Sequence, residues 1–162
     1  MPSRWILAGL LAVAAGVGLA LYMNQGSHLR LDGSILKTRV IATDTNACVV
    51  IIELRATNPS NVKFVTSEAT LTIVDKQNAE LTGDTVAQGD LDRVLDYYKE
   101  AGPRYNPVLM IRSVIEPKQT VDRTVAASFP LPEQTVNQRK ALVLRIREID
   151  GTVVELRSSR EK

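Results

Sequence analysis

Residues 47–57 have the sequence ACVVIIELRAT, and this stretch decides the fold. Its first part is apolar at consecutive positions, so an extended strand here carries apolar side chains on both of its faces. A strand of this kind is typical of the centre of a layered β structure. Asn58-Pro59-Ser60-Asn61 then ends the strand, because proline cannot donate to a strand ladder and asparagine tolerates turn geometry.

Short segments rich in valine, isoleucine and threonine surround this central strand, and turn residues separate them. The last two flank Asp150-Gly151, which we interpret as a two-residue hairpin turn because glycine accepts the positive φ of a tight turn. Seven to eight strands at this spacing predict an all-β antiparallel sandwich. The predicted strands are residues 34–43, 47–57, 63–75, 80–82, 108–115, 120–129, 141–149 and 152–156.

One α-helix is predicted between the early and late strands, over residues 90–101. Asp90 is the predicted N-cap, and Gly102-Pro103 is a stop signal. Carboxylates four apart on the opposite face can hold a hard cation, although a solvated helix face is the simpler interpretation. The predicted buried face consists of Leu91, Val94, Leu95, Tyr98 and Ala101, and the carboxylates are Asp92, Asp96 and Glu100.

The N-terminal stretch 5–23, WILAGLLAVAAGVGLALYM, contains no charged residue. At about 1.5 Å rise per residue, it is long enough to cross a hydrocarbon core of about 30 Å as one transmembrane helix. A cleaved secretory signal with its site at Gly18-Leu19-Ala20 is one alternative, but the apolar run continues past that site. An apolar core helix of a globular protein is the other, but the run is apolar all round and lies at the terminus. We therefore predict a tail at 1–4, a transmembrane helix at 5–23, a linker at 24–33, the β-sandwich domain at 34–158 and a tail at 159–162.

Small residues recur every four positions in the predicted transmembrane helix. Such a stripe lets another helix approach closely in lipid and predicts contacts with other transmembrane subunits, although alanine and glycine are common in membrane spans. Aromatic residues at both ends are typical of the membrane interfaces. The stripe consists of Ala8, Ala12, Gly16 and Ala20, and the aromatic residues are Trp5 and Tyr22.

Arg4 and the terminal amine lie directly beside the apolar stretch. Positive charges in a short flanking tail favour the cytoplasmic side, whereas Arg30, Lys37 and Arg39 follow on the other side at a greater distance. We therefore predict a single-pass protein of the bacterial inner membrane, with a cytoplasmic N-terminus and a periplasmic domain.

The composition argues against several classes of function. With 20 basic and 18 acidic residues and a net charge of +2, the chain has no basic stripe for nucleic acid. His28, the one histidine, lies in the predicted linker, which excludes a histidine-based triad or metal cluster inside the domain. Cys48 has apolar neighbours, which favours a buried residue over a nucleophile. We predict no catalytic site, no metal site and no cofactor.

Four side chains are candidate contacts for a partner protein. Arg145 and Arg147 alternate along one strand face, where pairing with acids across the sheet is the simpler interpretation. Tyr97 and Tyr105 lie near the predicted helix, and tyrosine is favoured at protein interfaces.

Residues 47–83 carry several short motifs in a fixed order. The central strand runs into Asn58-Pro59-Ser60, Val62 and Phe64 follow, and ATLTIV at 69–74 leads to Leu81-Thr82-Gly83. This order resembles the late embryogenesis abundant type 2 family and its water-stress and hypersensitive-response (WHy) domain, in a membrane-anchored bacterial form. That family has a proline-containing turn before a further strand, to which IEPKQT at 115–120 is similar.

The resemblance extends in outline over residues 36–157. It implies an immunoglobulin-like or fibronectin-III-like β-sandwich without an active site, often anchored beside a membrane. Ser60 stands where the family has a second asparagine, and the predicted helix has no counterpart in the family. The helix is therefore where we expect a property specific to this chain.

Together these features predict a non-enzymatic, membrane-anchored β-sandwich that is an accessory or scaffolding subunit of a larger membrane complex. The alternative is a solitary stress-protective or ligand-binding module of the late embryogenesis abundant type 2 kind.

Overall fold

A computed structural model describes residues 13–18 and 30–159 of the chain. Residues 13–18 are helical with exposed side chains, and an added Cβ at Gly16 would meet no atom within 4 Å. Within the described part of the chain, no helix combines the length and the apolar character needed to cross a membrane. The other predicted membrane contacts lie outside the described residues: Trp5, Ala8, Ala12, Ala20 and Tyr22.

Two antiparallel sheets make up most of the described structure. Sheet 1 has the order β1-β2-β7-β5, and sheet 2 has the order β4-β3-β8-β9 with β6 also paired to β3. The strands are β1 (Asp32–Asp44), β2 (Ala47–Thr57), β3 (Phe64–Val74), β4 (Glu80–Thr82), β5 (Asp84–Thr85), β6 (Val114–Ile115), β7 (Thr120–Phe129), β8 (Ala141–Glu148) and β9 (Val153–Ser159). The predicted antiparallel, mainly β architecture is confirmed.

The main core lies between the two sheets. Alternate residues of β2, from Cys48 to Leu54, point toward sheet 2 and are fully buried. They pack against residues of β3 and β8 that include Leu71, Leu144 and Ile146. This period of two is what a strand with one face in the core requires.

A second core lies on the outer face of sheet 1. Two residues of the opposite face of β2, Val49 and Ile51, pack there against Leu91 and Leu95 of the helix α1 (Gln88–Tyr97). The central strand is therefore buried on both faces, as the apolar run at residues 47–52 predicts.

The inserted helix differs from the prediction at its ends. It begins at Gln88 after Ala87, which makes no side-chain cap, and Asp90 lies in its first turn beside Arg93. A 3-10 turn (Lys99–Ala101) follows it and ends at Gly102, whose φ of 77° is accessible to glycine at little cost. A second short helix, α2 (Glu133–Asn137), was not predicted, because one turn gives no measurable periodicity.

Several predictions of strands and turns were wrong in detail. Val108 makes one isolated parallel bridge to Thr124, residues 109–113 form a loop, and only Val114–Ile115 forms a strand with β3. Gly151 donates to the carbonyl of Glu148, so the last turn is centred on Ile149-Asp150, and Gly151 follows it with a φ of 94°. At the other end of the chain, Asp32 already pairs with Thr57, so β1 begins inside the predicted linker.

Candidate interaction surface

The segment 86–113, here called the insertion, covers the outer face of sheet 1. It contains α1, the 3-10 turn and the loop that returns to β6. Its apolar contacts come from α1 and from Val108, which belong to the same buried cluster as Ile41, Val49 and Ile51. A sandwich sheet that would otherwise be half solvated is therefore closed by a third layer.

A buried ion pair lies beneath the insertion. Nη2 of Arg39 in β1 donates to Oε1 of Glu53 in β2 at 2.8 Å, and their side chains are 10% and 5% exposed. The other carboxylate oxygen of Glu53 accepts from Asn106 at 2.8 Å and from the Thr124 hydroxyl at 2.7 Å. A buried charge is costly unless it is paired and hydrogen-bonded, and this carboxylate meets both conditions.

The same arginine holds the insertion by its backbone. Nη1 of Arg39 donates to the carbonyl of Ala101 at 2.8 Å and to that of Pro103 at 3.0 Å. The ring of Tyr105 lies 5.1 Å from the Arg39 guanidinium and 5.0 Å from the Lys37 ammonium, both at cation–π distance. The end of the 3-10 turn is thus tied to sheet 1 by directional bonds as well as by apolar packing.

Glu53 is the one residue whose type indicates this network in the sequence. The sequence analysis does not predict its buried ion pair. A single carboxylate within an apolar strand needs a buried partner. The partner cannot be read from β1 alone, because the strand register places Lys37 directly opposite Glu53 and Arg39 opposite Ile51. Asn106 comes from an irregular loop, which no periodicity predicts.

The insertion exposes four large apolar or aromatic side chains. Tyr97 at the end of α1 is 80% exposed and packs edge-on against Tyr98. Tyr105 and Met110 are also exposed, and Ile111 is 72% exposed. Such residues on a segment that is fixed to a sheet are typical of protein interfaces.

Two depressions border the insertion. An open groove of about 440 Å³ with mainly apolar walls lies beside the start of α1, between Thr85–Gln88, Val108–Ile111 and the Glu68-Ala69 segment of β3. A second open cleft of about 410 Å³, with mixed polar and apolar walls, lies at the other end of the helix, between Asp92, Asp96 and the loop at Gly102–Arg104.

The acidic face of α1 is engaged by nearby cations. Asp96 lies 2.9 Å from Lys99, and Asp92 lies 2.9 Å from Arg104. Within residues 13–18 and 30–159, no group of three His, Cys, Asp or Glu side chains is arranged to hold a metal ion.

Sheet 2 presents a different outer face, and the two candidate arginines lie on it. Arg145 is 2.6 Å from Glu155 and 3.4 Å from Glu80, and Arg147 is 3.4 Å from Glu68. The hydrogen bond from Arg145 to Glu155 raises the pKa of the guanidinium above its ordinary value. The four candidate contacts therefore divide between opposite faces: Tyr97 and Tyr105 on the insertion, Arg145 and Arg147 across the sandwich.

Asn58-Pro59-Ser60, here called the Asn58 motif, joins two loops at one end of the sandwich. Nδ2 of the fully buried Asn58 donates to the carbonyl of Ile115 at 3.0 Å, and Oδ1 accepts from the Ser60 hydroxyl at 2.7 Å. Its backbone amide donates to Gln119, and its carbonyl accepts from Lys118. The asparagine thus fixes the proline turn after β2 to the proline turn before β7.

Cys48 lies inside the main core and is fully buried. Burial raises the pKa of the thiol, and the negative charge of Glu133 raises it further. The thiol is therefore protonated at neutral pH, as expected for a small buried side chain.

No protein-family model matches this chain, and no curated protein matches it. Among solved structures, it is similar to a Bordetella pertussis protein provisionally described as ApaA, with 13% identity, a TM-score of 0.38, and coverage of 81% of this chain and 89% of that one. It is also similar to an uncharacterized beta-sandwich protein from Clostridium difficile, with 11% identity, a TM-score of 0.37 and 82% coverage of each chain. It is also similar to a conserved hypothetical protein from Bacillus anthracis, with 8% identity, a TM-score of 0.36, and coverage of 80% of this chain and 99% of that one.

Proposed function

We propose that this chain is a non-enzymatic, single-span membrane protein whose domain binds other subunits of a membrane complex through the insertion. The observation that carries the proposal is the contrast within the insertion. Its inner side is fixed by the Arg39–Glu53 pair, whereas its outer side exposes Tyr97, Tyr105 and Ile111. Holding such side chains in a fixed arrangement lowers the entropic cost of binding a partner.

The membrane part of the proposal rests on the sequence. The uncharged stretch 5–23 is long enough to span a bilayer, and its small-residue stripe suits contact with other transmembrane helices. The proposed orientation places the N-terminus in the cytoplasm and the domain in the periplasm, because Arg4 directly flanks the stretch.

A native co-purification tests the proposal. Membranes are solubilised in a mild detergent, the full chain is captured through a tag after Lys162, and the bound proteins are quantified. We expect membrane proteins in fixed stoichiometry with the chain, and we expect Tyr97→Ser with Ile111→Ser to release them. A chain that is recovered alone from native membranes would refute the proposal.

A solitary protective module is the second candidate function, and the Asn58 motif favours it. The two segments that resemble the late embryogenesis abundant type 2 family, Asn58-Pro59-Ser60 and residues 115–120, are hydrogen-bonded to each other. If this function holds, a domain of residues 30–162 preserves the activity of a test enzyme through drying, and expression rises under osmotic stress. Protection no better than that given by an equal mass of albumin would exclude it.

A further inference from the structure

The loops at the Asn58 end of the sandwich carry exposed aliphatic side chains. This end, here called the tether end, is formed by residues 30–33, 58–63, 114–119 and 148–153, as the pairing of Asp32 with Thr57 and of Thr57 with Thr120 shows. Sheet 2 ends at the same level, where Thr66 pairs with Glu148. The exposed aliphatic residues of the tether end are Val62, Val114, Ile149 and Val153.

Three of these residues lie on neighbouring backbone segments at the end of sheet 2. Val114 is directly opposite Val65 in the β6–β3 pair, and the backbone amide of Ile149 donates to the carbonyl of Val65. Val153 begins β9 opposite Arg147. Ile149 is 62% exposed although it occupies the second position of a tight turn, where a polar residue would be the usual choice.

Hydrogen bonds to the buried side chain of Glu148 fix the turn that presents Ile149. The buried carboxylate of Glu148 accepts from the backbone amides of Asp150 and Val65. Gly151 completes the turn in a left-handed conformation. The exposed isoleucine is therefore displayed on a fixed turn.

In the sequence, this end of the domain follows shortly after the apolar N-terminal stretch. β1 starts at Asp32, and only residues 24–29 separate the described Arg30 from the end of the apolar stretch at Met23. At about 3.5 Å per extended residue, these residues reach about 20 Å at most. If the stretch spans a bilayer, the tether end is the part of the domain closest to the lipid.

We infer that the tether end rests on the lipid bilayer, with Ile149 and Val153 inserted at the level of the headgroups. This inference rests on the membrane anchor of the proposed function. The exposed charged groups of the four segments of the tether end balance in sign, and Arg112 in the adjoining loop adds one positive charge. The contact is therefore driven mainly by apolar burial and does not require anionic lipid. The balanced groups are Arg30, Lys63 and Lys118 against Asp32, Glu116 and Asp150.

Tryptophan fluorescence in a lipid nanodisc tests the inference with the full chain. Trp5 is the one tryptophan of the chain, so Trp5→Phe provides a silent background into which I149W is introduced. The quencher is brominated phosphatidylcholine, a zwitterionic lipid. We expect quenching of the I149W fluorescence by about twofold, independent of salt, because an interfacial residue enters about 5–10 Å into the headgroup region.

Y97W is the matched control. Tyr97 is more exposed than Ile149 and lies at the far end of β1, where the Tyr98 hydroxyl donates to the carbonyl of Thr43. At about 3.3 Å per strand residue, that end is about 35 Å from Asp32. Its fluorescence is expected to be unchanged by the brominated lipid.

The outcomes separate the inference from the proposed function. Alkaline extraction establishes first whether the chain is anchored, and its release from membranes would overturn both. An anchored chain in which I149W and Y97W are equally quenched, or in which neither is quenched, would overturn the lipid contact alone. V153W is the second reporter, and absence of quenching there overturns the inference even if I149W disturbs the turn.

Discussion

Arg39 and Glu53 form an ion pair of 2.8 Å between neighbouring strands, and both side chains are buried beneath the insertion. The pair joins two parts of the fold that the sequence separates. Glu53 belongs to the central strand, whereas the carbonyls that Arg39 binds belong to the end of the 3-10 turn. The insertion is therefore an integral layer of the domain.

Replacement of Arg39 tests this integration. Arg39→Met leaves the Glu53 carboxylate buried without its cation, and we expect the free energy of unfolding to fall by about 3–5 kcal/mol. Urea denaturation followed by circular dichroism measures the change.

Arg55→Met is the matched control for that variant. Arg55 also binds a carboxylate on a neighbouring strand, Asp122 at 2.7 Å, but this pair is exposed to solvent. Exposed pairs contribute little, so the loss should be much smaller than for Arg39→Met. Equal losses for the two variants would contradict the buried role of Arg39.

Replacing two glycines with alanine should change the stability of the domain in opposite directions. A Cβ at Gly83 would lie 2.5 Å from the ring of the buried Phe129, so Gly83→Ala should destabilise the domain by about 1–3 kcal/mol. Gly89 lies in α1 with nothing within 4 Å of the added atom, so Gly89→Ala should stabilise it by about 0.5–1 kcal/mol. Thermal unfolding of both variants checks the pair, and a stabilised Gly83→Ala would refute the packing described here.

The Cys48 thiol should be inert in the folded protein. Burial raises its pKa, and Glu133 adds to the effect, so little thiolate is present at neutral pH. Iodoacetamide should label the chain only as it unfolds in urea, which mass spectrometry follows along the denaturation curve. Labelling of the native chain at the rate of a free thiol would place Cys48 outside the core.

The exposed Arg55–Asp122 pair should make a small contribution to stability that depends on pH. The hydrogen bond from Arg55 holds the pKa of the Asp122 carboxyl below its ordinary value. A carboxyl with a lowered folded-state pKa stabilises the fold above its unfolded-state pKa, and the contribution is lost as pH falls through the folded-state value. NMR titration of the Asp122 carboxyl should give a lower pKa in the wild type than in Arg55→Met, and identical values would contradict the pairing.

The strand content follows from local patterns. ACVVIIELRAT predicts a strand buried on both faces, and the structure places one face in the main core and the other beneath α1. The buried face of α1 is equally predictable, because Leu91 and Leu95 follow helical spacing. Both predictions depend only on periodicity within one segment.

The candidate interaction surface follows less well from sequence. The Arg39–Glu53 pair that holds the insertion depends on the register of β1 against β2 and on a hydrogen bond from the loop residue Asn106. Both are long-range properties of the folded chain. The apolar sequence at residues 108–115 predicts a strand, whereas the structure exposes Met110 and Ile111 in a loop. Apolar composition alone does not distinguish a buried strand from an exposed contact.

Photo-crosslinking in native membranes tests most directly whether the insertion binds a partner. A photoreactive amino acid is introduced at Tyr97 of the full chain and, as a control, at the exposed Arg157 on the outer face of sheet 2. We expect position 97 to give discrete crosslinks to one or two membrane proteins and position 157 to give none. Crosslinks from position 157 but not from position 97 would contradict the proposed role of the insertion.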